Sequence, residues 1–404
     1  MVRINKLKHD ETLNRKKVRV INIISVLIGF SAAIVAYIIS SYFKEVTGTD
    51  NVSIFYAAAY VISLIALLNL HKIIRRFGKS KVFLASILFS VFSSLMVFFL
   101  PVSGFGALFI VLNIILYNLV IVGKDIILES YSVDRMSGQI RGVNLTLMNV
   151  GFITGPFIAT LILDKFGFQG VFLLQFAVMS IIFFISFFNL EKVNHKFKPV
   201  VTVEALVKKI IKRKNVMRIY YISFLLEFFY FIAVVYIPIY LRNLGMDWSE
   251  IGIIFSFMLL PFILLQYPAG KIADKKLGEK ELIIFAILIM SASIFSIFFI
   301  DSVSIYVWGG ILFLTRIGAA LIEILRDSYF YKRIDGTDVD VIGFFRTSRP
   351  VGFLAASIIS AVSLMFLPLN YIFIILSIVI FTGLYPALKL SDNLSEEEAR
   401  ELKK

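Results

Sequence analysis

Residues 125–131, Asp-Ile-Ile-Leu-Glu-Ser-Tyr, recur in altered form 198 positions later as residues 323–329, Glu-Ile-Leu-Arg-Asp-Ser-Tyr. Both copies lie in long apolar runs, and both bring two carboxylates into the run. A charged side chain at the centre of a membrane-spanning helix costs roughly 2.5–3.5 kcal/mol on insertion scales. Two such helices with acids at the same place indicate a duplicated membrane protein in which the acids serve a function, and transport is the first function to consider.

Apolar runs dominate the rest of the chain, since hydrophobic residues make up 59% of the 404 positions. About 20 apolar residues suffice to cross a ~30 Å hydrocarbon core as an α-helix. The sequence predicts an all-α membrane protein with twelve transmembrane helices in two pseudo-symmetric six-helix bundles. The predicted spans are residues 18–42, 52–71, 81–101, 104–129, 141–163, 168–190, 218–241, 249–269, 281–300, 304–329, 341–365 and 370–389.

Positive charge is distributed unequally between the two sides of these spans. Most of the 41 Lys and Arg residues fall on the side that carries both termini and the loop 191–217, whereas the opposite loops hold Lys44, Lys165 and Arg242. Cytoplasmic loops retain positive charge. Both termini are therefore predicted to be cytoplasmic, with the chain in the cell's inner (plasma) membrane.

The same composition argues against other classes of protein. The net charge of +14 lies in short loops beside the spans and not on one basic face, so nucleic-acid binding is not expected. With no cysteine and three scattered histidines, we expect no metal site. The sequence has no phosphate-binding Gly-rich loop and no Ser-His-Asp arrangement, so we expect neither a cofactor nor enzyme activity.

The polar segment 191–217 divides the spans into two sets of six. It is predicted to be a cytoplasmic linker with an amphipathic helix on the anionic inner leaflet; a docking site for a partner protein is the alternative. The predicted domains are a cytoplasmic tail at 1–17, a six-helix bundle at 18–190, the linker at 191–217, a second bundle at 218–389 and a cytoplasmic tail at 390–404. Parallel halves with the substrate at their interface are a transporter design.

A loop motif after the eighth span gives the family resemblance. Residues Gly270-Lys-Ile-Ala-Asp274-Lys-Lys-Leu-Gly278-Glu-Lys280 resemble the Gly-x-x-x-Asp-(Arg/Lys)-x-Gly-(Arg/Lys) signature of the major facilitator superfamily, with one extra residue before the second Gly. The resemblance implies the fold of that superfamily, and it implies that Gly270, Asp274 and Gly278 help to hold one gate closed. The equivalent loop of the first half, residues 71–79, departs from the pattern because Arg75 stands in place of the Asp.

A second motif concerns the fifth span. Gly151-x-x-x-Gly155-Pro156-x-x-Ala159 resembles the superfamily signature found most often in proton-coupled exporters, with Ala in place of the last Gly. Small residues four apart permit close helix contact, and Pro permits a bend. The resemblance favours a proton-coupled antiporter that exports its substrate, although generic helix packing explains the same residues.

Charged residues in the fourth and tenth spans form two stripes, each on one helical face. Asn118, Asp125 and Glu129 make the first stripe. Arg316, Glu323 and Asp327 make the second at the same spacing. The resemblance implies that both stripes line a central cavity.

Substrate binding and proton coupling are assigned to a set of five residues. These are Glu227, Arg316, Glu323, Asp125 and Asn118. We expect Glu227 in the seventh span to pair with Arg316, so that proton, substrate and arginine compete for one carboxylate. A permanent structural ion pair is the alternative.

Four residues near the cytoplasmic ends of spans are predicted to form a gate between the halves. They are Glu129, Asp327, Arg346 and Arg349. Asp125 and Glu323 lie one turn deeper and serve either this gate or the substrate site. The alternative for the set is a solvated helix end with Arg side chains that extend to the interface.

Other polar residues are candidates either for substrate contact or for hydrogen bonds between helices. They are Asn22, Asn113, Tyr117, Gln175, Tyr230, Tyr236 and Gln266. The function predicted from all of this is secondary active transport of a small solute by a monomer whose partners are its substrate, protons and membrane lipids. The alternatives are a non-transporting membrane sensor on the same fold and a multi-span enzyme acting on lipids.

Overall fold

The structure is a computed structural model. It describes residues 15–131, 137–190, 210–273, 278–333 and 339–391, and these residues form helices joined by short turns. The helices of the first half of the chain (residues 15–190) are α1 (Arg15–Ala36), α2 (Ile39–Thr47), α3 (Ser53–Phe77), α4 (Lys79–Phe99), α5 (Gly104–Tyr131) and α6 (Ser137–Asn189). Those of the second half (210–391) are α7 (Lys214–Asn243), α8 (Trp248–Met258), α9 (Leu260–Leu264), α10 (Gln266–Ile272), α11 (Gly278–Ile297), α12 (Ile305–Tyr331), α13 (Val339–Arg346), α14 (Ser348–Phe366), α15 (Tyr371–Phe381) and α16 (Leu384–Leu388).

Within the described residues, ten helices are long and apolar enough to cross a membrane. One of them, Thr146–Asn189, has 44 residues, and a shorter apolar helix covers Ser53–Leu67. The backbone leaves helical geometry inside α6 at Gly167, where φ is 66° and ψ is −169°. This is the left-handed side of φ that glycine adopts without strain. The break coincides with the predicted junction between the fifth and sixth spans.

Several predicted single spans are interrupted helices in the structure. The span at 249–269 is built from α8, α9 and α10; the span at 341–365 from α13 and α14; and the span at 370–389 from α15 and α16. Proline explains why new helices start at these places, because it lacks an N–H group and is tolerated in the first turn. Pro261, Pro350 and Pro386 lie in the first turns of α9, α14 and α16.

Hydrogen bonds define two ends of the helical region. Lys17 donates to the carbonyl oxygen of Asn189 at 2.6 Å, and Asn215 donates to Ser391 at 2.8 Å. We call this end, where the described halves begin and finish, the terminus side. The opposite end carries the turns after α2, α4, α7, α11 and α14, and we call it the loop side.

Buried apolar residues connect the two halves on the loop side but not on the terminus side. One continuous cluster contains loop-side residues of the first half, such as Tyr42 and Val52, together with the buried residues of the second half. The terminus-side residues of the first half, including Ile21 and Leu128, form a separate cluster. The halves therefore share a core on the loop side and have distinct cores on the terminus side. Among the described residues, the most extensive helix contacts between the halves are α6 with α8, α3 with α14, and α2 with α7.

The internal repeat is visible in the packing of α1 on α6 and of α7 on α14. A Cβ atom on Gly151 would lie 2.0 Å from the carbonyl oxygen of Val26. A Cβ atom on Gly352 would lie 2.9 Å from the carbonyl oxygen of Phe224. The second pair follows the first at offsets of 198 and 201 positions, so the same glycine contact is made in both halves.

Candidate functional site

A buried carboxylate lies between two arginines in the second half. Glu227, on α7, is 5% exposed, and its Oε1 atom accepts a 3.0 Å hydrogen bond from Nη2 of Arg326, on α12. Its Oε2 atom lies 3.9 Å from Nε of Arg349, at the start of α14. Arg326 is also buried and donates to the Ser223 hydroxyl at 2.7 Å. Three helices thus bring one carboxylate and two guanidinium groups together, and we call Glu227, Arg326 and Arg349 the charge cluster.

The expected pair of Glu227 with Arg316 is wrong, because the arginine on α12 that reaches Glu227 is Arg326. Side chains on a helix tilt toward its N-terminus. Since α12 begins on the loop side, Arg326 reaches from the terminus side toward the middle of the bundle, and Arg316 reaches away from Glu227. Arg316 is 1% exposed, and its guanidinium lies 4.7 Å from the centre of the Phe229 ring.

A second carboxylate, Glu323, lies beside the charge cluster on α12. Its Oε2 atom accepts hydrogen bonds from Nε2 of Gln266 at 2.9 Å and from the Tyr230 hydroxyl at 3.4 Å. Both donors were candidates for substrate contact. In this conformation they are bound to Glu323, so they hold its carboxylate in place.

Arg349 connects the charge cluster to the first half. Its side chain is 47% exposed, and its guanidinium lies 5.3 Å from the centre of the Phe353 ring. The hydroxyls of Tyr60 on α3 and Tyr117 on α5 lie near enough to interact electrostatically with it. The accessible member of the charge cluster therefore faces two phenol groups across the interface between the halves.

An ion pair crosses the interface on the terminus side. Oδ2 of Asp125, on α5, lies 3.1 Å from Nη1 of Arg346, on α13, and both side chains are partly exposed. The other oxygen of Asp125 lies 3.2 Å from the ammonium of Lys124, which is 4% exposed and donates to Asn144 at 3.0 Å. Asp125 therefore links a buried lysine of the first half to an accessible arginine of the second.

The loop side is closed by polar contacts between the halves. The Ser53 hydroxyl, on α3, bonds to the hydroxyls of Tyr236 and Ser360 of the second half. Nδ2 of Asn51 donates to the carbonyl oxygen of Ala361 at 2.9 Å. Nδ2 of Asn243 donates to Asp50 at 2.9 Å. These contacts lie at the same end as the shared apolar core.

Comparison with protein families matches the chain to a model described as "Major Facilitator Superfamily" over residues 21–335. The chain belongs to the major facilitator superfamily. Comparison with curated protein sequences gives no match.

Solved structures of superfamily transporters share the fold. An auto-inhibited POT family peptide transporter is 10% identical with a TM-score of 0.74, covering 94% of this chain and 98% of that one. The nucleoside transporter NupG is 14% identical with a TM-score of 0.72, covering 93% of this chain and all of that one (100%). The POT family transporter PepTSo is 12% identical with a TM-score of 0.70, covering 96% and 98%.

The family and the apolar helices make this chain a multi-pass membrane protein, and they support its assignment as a membrane transporter. The structural similarity was expected from the loop motif and the repeat. At these identities it shows the fold, so residue roles must be argued from the chain's own contacts.

The internal repeat also shows where the halves differ. Gly29 of α1 and Met148 of α6 correspond to Glu227 and Arg349, at offsets of 198 and 201. A Cβ atom on Gly29 would lie 2.0 Å from the Met148 carbonyl oxygen. The first half therefore has close helix packing at the position where the second half has an ion pair.

The remaining predicted site residues are distributed around the bundle. Asn118 donates to the Ile114 carbonyl at 2.9 Å and to Ser63 at 3.4 Å, so it contacts its own helix and α3, not the charge cluster. Oδ1 of Asp327 lies 3.6 Å from Nε of its neighbour Arg326. Arg349, predicted as a gate residue, belongs to the charge cluster.

The loop motif after α10 is described only in part. Gly270 lies in α10 and approaches Ile324 of α12, and Gly278 starts α11 with a φ of 71°. Asp274 and the side chain of Glu129 lie outside what the structure describes. Of the span-5 motif, Gly155 approaches Ala33 of α1, and α6 stays helical through Pro156.

Two buried cations were missed in the sequence, and each had a signal. Arg326 is the basic residue of the second repeat copy, one helical turn after Glu323 and at the position of Leu128 in the first copy. Lys124 directly precedes the first copy. Either could have been found by asking which cation neutralises the repeated acids. Of the other polar candidates, Asn113 and Gln175 bond to each other at 3.1 Å, as helix-to-helix contacts.

Proposed function

We propose that this chain is a secondary active transporter that moves a small solute by alternating access between two six-helix halves. The 44-residue stretch Thr146–Asn189 supports two crossings, because at 1.5 Å per residue it spans about 66 Å with its break at Gly167. A further crossing by α3 gives twelve spans. The proposed domains remain a tail at 1–17, bundles at 18–190 and 218–389, a linker at 191–217 and a tail at 390–404.

Alternating access is supported by the difference between the two ends. On the loop side the halves share one core and several hydrogen bonds, whereas on the terminus side their cores are distinct and Asp125–Arg346 joins them. This is what a transporter closed at one end and ready to part at the other requires. Asp125 and Arg346 are the proposed gate pair, together with Glu129 and the loop motif at Gly270, Asp274 and Gly278.

The observation that carries the proposal is the charge cluster. A carboxylate at 5% exposure inside apolar helices is retained only with partners, and Glu227 has one buried and one accessible arginine. The accessible arginine can leave the carboxylate when the halves move, and a proton can then bind in its place. Proton binding at Glu227 is thereby coupled to the movement that carries the solute. Glu323 belongs to the same site.

The positive charge on the terminus side supports a cytoplasmic location of both termini in the plasma membrane. The span-5 glycines support proton-coupled antiport in the export direction. The proposed partners are the solute, protons and membrane lipids, and the proposed unit is a monomer. No cofactor and no nucleic acid enter this mechanism.

Flux in proteoliposomes tests the proposal. Purified protein should accumulate or exchange at least one solute of a broad panel under an imposed pH gradient. A protein that binds solutes but moves none, by gradient or by exchange, would refute transport.

The movement itself can be measured with spin labels, because the chain contains no cysteine. The terminus-side label pair is Arg76→Cys with Lys212→Cys, and the loop-side label pair is Thr49→Cys with Asp301→Cys; all four positions are exposed. Alternating access requires opposite distance changes at the two pairs when a transported solute is added. Changes of the same sign, or none during demonstrated transport, would refute the rocking of the halves.

A membrane sensor that binds a ligand without transport is the second candidate function. Arg75 favours it, because this residue replaces the acid that the superfamily loop motif has in the first half. Saturable binding with no exchange flux would establish the sensor.

A further inference from the structure

Arg316 is a buried cation whose two terminal nitrogens make no well-formed hydrogen bond to any residue that the structure describes. It lies near the middle of α12 and is 1% exposed. No carboxylate of the described residues pairs with its Nη1 or Nη2 atom, and the Tyr37 hydroxyl is the polar group that approaches them. Arginine stays charged under all physiological conditions, so burial cannot be relieved by losing the proton. Arg326, on the same helix, differs because it has both Glu227 and Ser223.

Aromatic side chains of both halves surround this guanidinium. Phe229 of α7 lies beneath it, at 4.7 Å from the ring centre, and the Tyr37 hydroxyl is near enough to interact with it both electrostatically and as a weak hydrogen-bond partner. The Tyr37 ring in turn packs on Phe255 of α8 at 4.6 Å and on Phe152 of α6 at 6.4 Å. The charge therefore has the flat apolar face of Phe229 and the Tyr37 hydroxyl beside it, and two further rings pack on Tyr37.

The repeat shows that this charge is peculiar to the second half. The position equivalent to Arg316 in the first half is Asn118, a neutral residue satisfied by Ile114 and Ser63. Symmetric packing of the two halves therefore does not require a cation here. A buried charge without a structural counterpart points to a ligand.

We propose that Arg316 binds the anionic group of the transported solute, which is a small organic anion with a flat apolar body. This inference rests on the proposed transport function. The two Nη atoms of one guanidinium form a fork that matches a carboxylate or a phosphate. The Tyr37 hydroxyl donates to a remaining anion oxygen, and the rings of Phe229 and Phe255 pack against the body of the solute.

The same geometry couples binding to the movement of the halves. The contact between Tyr37 and Phe255 joins the first half to the second, and Tyr37 approaches the buried Arg316. Solute reaches the guanidinium only when this contact parts. The site is separate from the charge cluster, because Arg316 and Arg326 are ten positions apart on α12, which corresponds to about 15 Å of rise.

Ligand-induced thermal shifts of the purified full-length protein test the inference. The probes are benzoate and phenyl phosphate, with neutral benzamide and cationic benzylamine as matched controls of similar shape. Benzoate or phenyl phosphate should raise Tm in a saturable manner, and the two anions together report whether a carboxylate or a phosphate fits better. The controls should have no effect. If neither anion binds to the wild-type protein, the inference is overturned.

Variants locate the site. Arg316→Gln and Tyr37→Phe should raise the Kd of the anion, by about 10- to 100-fold for Arg316→Gln because a charge-assisted contact is lost. Lys165→Gln, at an exposed loop-side position, is the matched control and should leave the Kd unchanged. Unchanged anion affinity in Arg316→Gln would refute the assignment.

Two further outcomes separate this inference from its alternatives. If Arg316 is merely structural, Arg316→Met lowers the Tm of the ligand-free protein; removal of an unpaired charge is expected to leave that Tm unchanged or higher. Anion binding through Arg316 without flux would keep the site and refute transport. Demonstrated flux of a non-anionic solute, with no binding of either anion, would keep transport and refute the site.

Discussion

Replacing Glu227 by Gln removes the charge that holds two arginines together. Breaking a buried ion pair by removing one partner costs about 3–5 kcal/mol. The lower figure applies here, because Arg326 keeps its bond to Ser223 and lies 3.6 Å from Asp327. Arg349 adds little to the loss, since its side chain is 47% exposed and water screens its charge. At an unfolding entropy of about 2.1 cal/mol/K per residue, 3 kcal/mol corresponds to a fall of about 3–4 °C in the Tm of this 404-residue chain.

A double-mutant cycle distinguishes the pair from two independent residues. Glu227→Gln and Arg326→Gln should each lower Tm by about 3–4 °C, and the double variant should lose far less than the sum, because it leaves no unpaired buried charge. The measurement is thermal unfolding in detergent, with Glu281→Gln, at an exposed position on α11, as the control. Additive losses of about 6–8 °C in the double variant would refute the reasoning.

The same substitution tests the coupling. Glu227→Gln should abolish accumulation driven by a pH gradient and leave solute exchange intact, since a glutamine amide neither binds nor releases a proton at physiological pH. Flux measured as a function of pH provides the readout. If the pH dependence of the variant equals that of the wild type, Glu227 has no part in proton coupling.

Three other perturbations follow from the contacts. Arg346→Gln removes the ion pair with Asp125 on the terminus side, which is partly exposed and therefore weak. The conformation with the longer distance between the terminus-side labels should become about 2- to 5-fold more populated. An unchanged distance distribution would exclude a gate role for Arg346. Tyr236→Phe removes the hydroxyl bonded to Ser53, so the population open on the loop side should rise by about 2- to 10-fold. The measurement is the distance between the loop-side labels, and a shorter distance in the variant would contradict the prediction. Gly151→Ala should lower Tm by several degrees, because the new Cβ atom would overlap the Val26 carbonyl oxygen. The control is Gly310→Ala, whose new Cβ atom has no neighbour within 4 Å and should leave Tm unchanged. Equal effects of the two variants would show that the α1–α6 contact is unimportant.

Sequence predicted the course of the helices better than their interruptions. Apolar runs and the repeat indicated the spans, because a helix that crosses the membrane needs about 20 consecutive apolar residues and such runs are visible in the sequence. The breaks at Leu259, Leu265 and Thr347 were not predicted. They depend on where a proline removes one hydrogen bond and how the neighbouring helices compensate, and a hydropathy pattern does not contain that information.

The candidate site was predicted in composition but not in pairing. Glu227, Glu323 and Arg349 were identified as functional candidates from their positions within apolar spans, and the structure brings them together around Arg326. The partner of Glu227 was mistaken because position along the helix was compared without the direction of the side chain. Ten residues separate the two arginines of α12, and the tilt of each side chain decides which reaches the carboxylate.

The close contact of Gly29 with the Met148 carbonyl limits how many protons the proposed mechanism can use. A side chain at position 29 would overlap that carbonyl, so the first half has no room for an acid equivalent to Glu227. The described residues then provide one Glu227-type carboxylate, and the mechanism proposed for it moves one proton in each transport cycle. A difference of one pH unit supplies about 1.4 kcal/mol to such a cycle, enough for about a tenfold ratio of solute across the membrane.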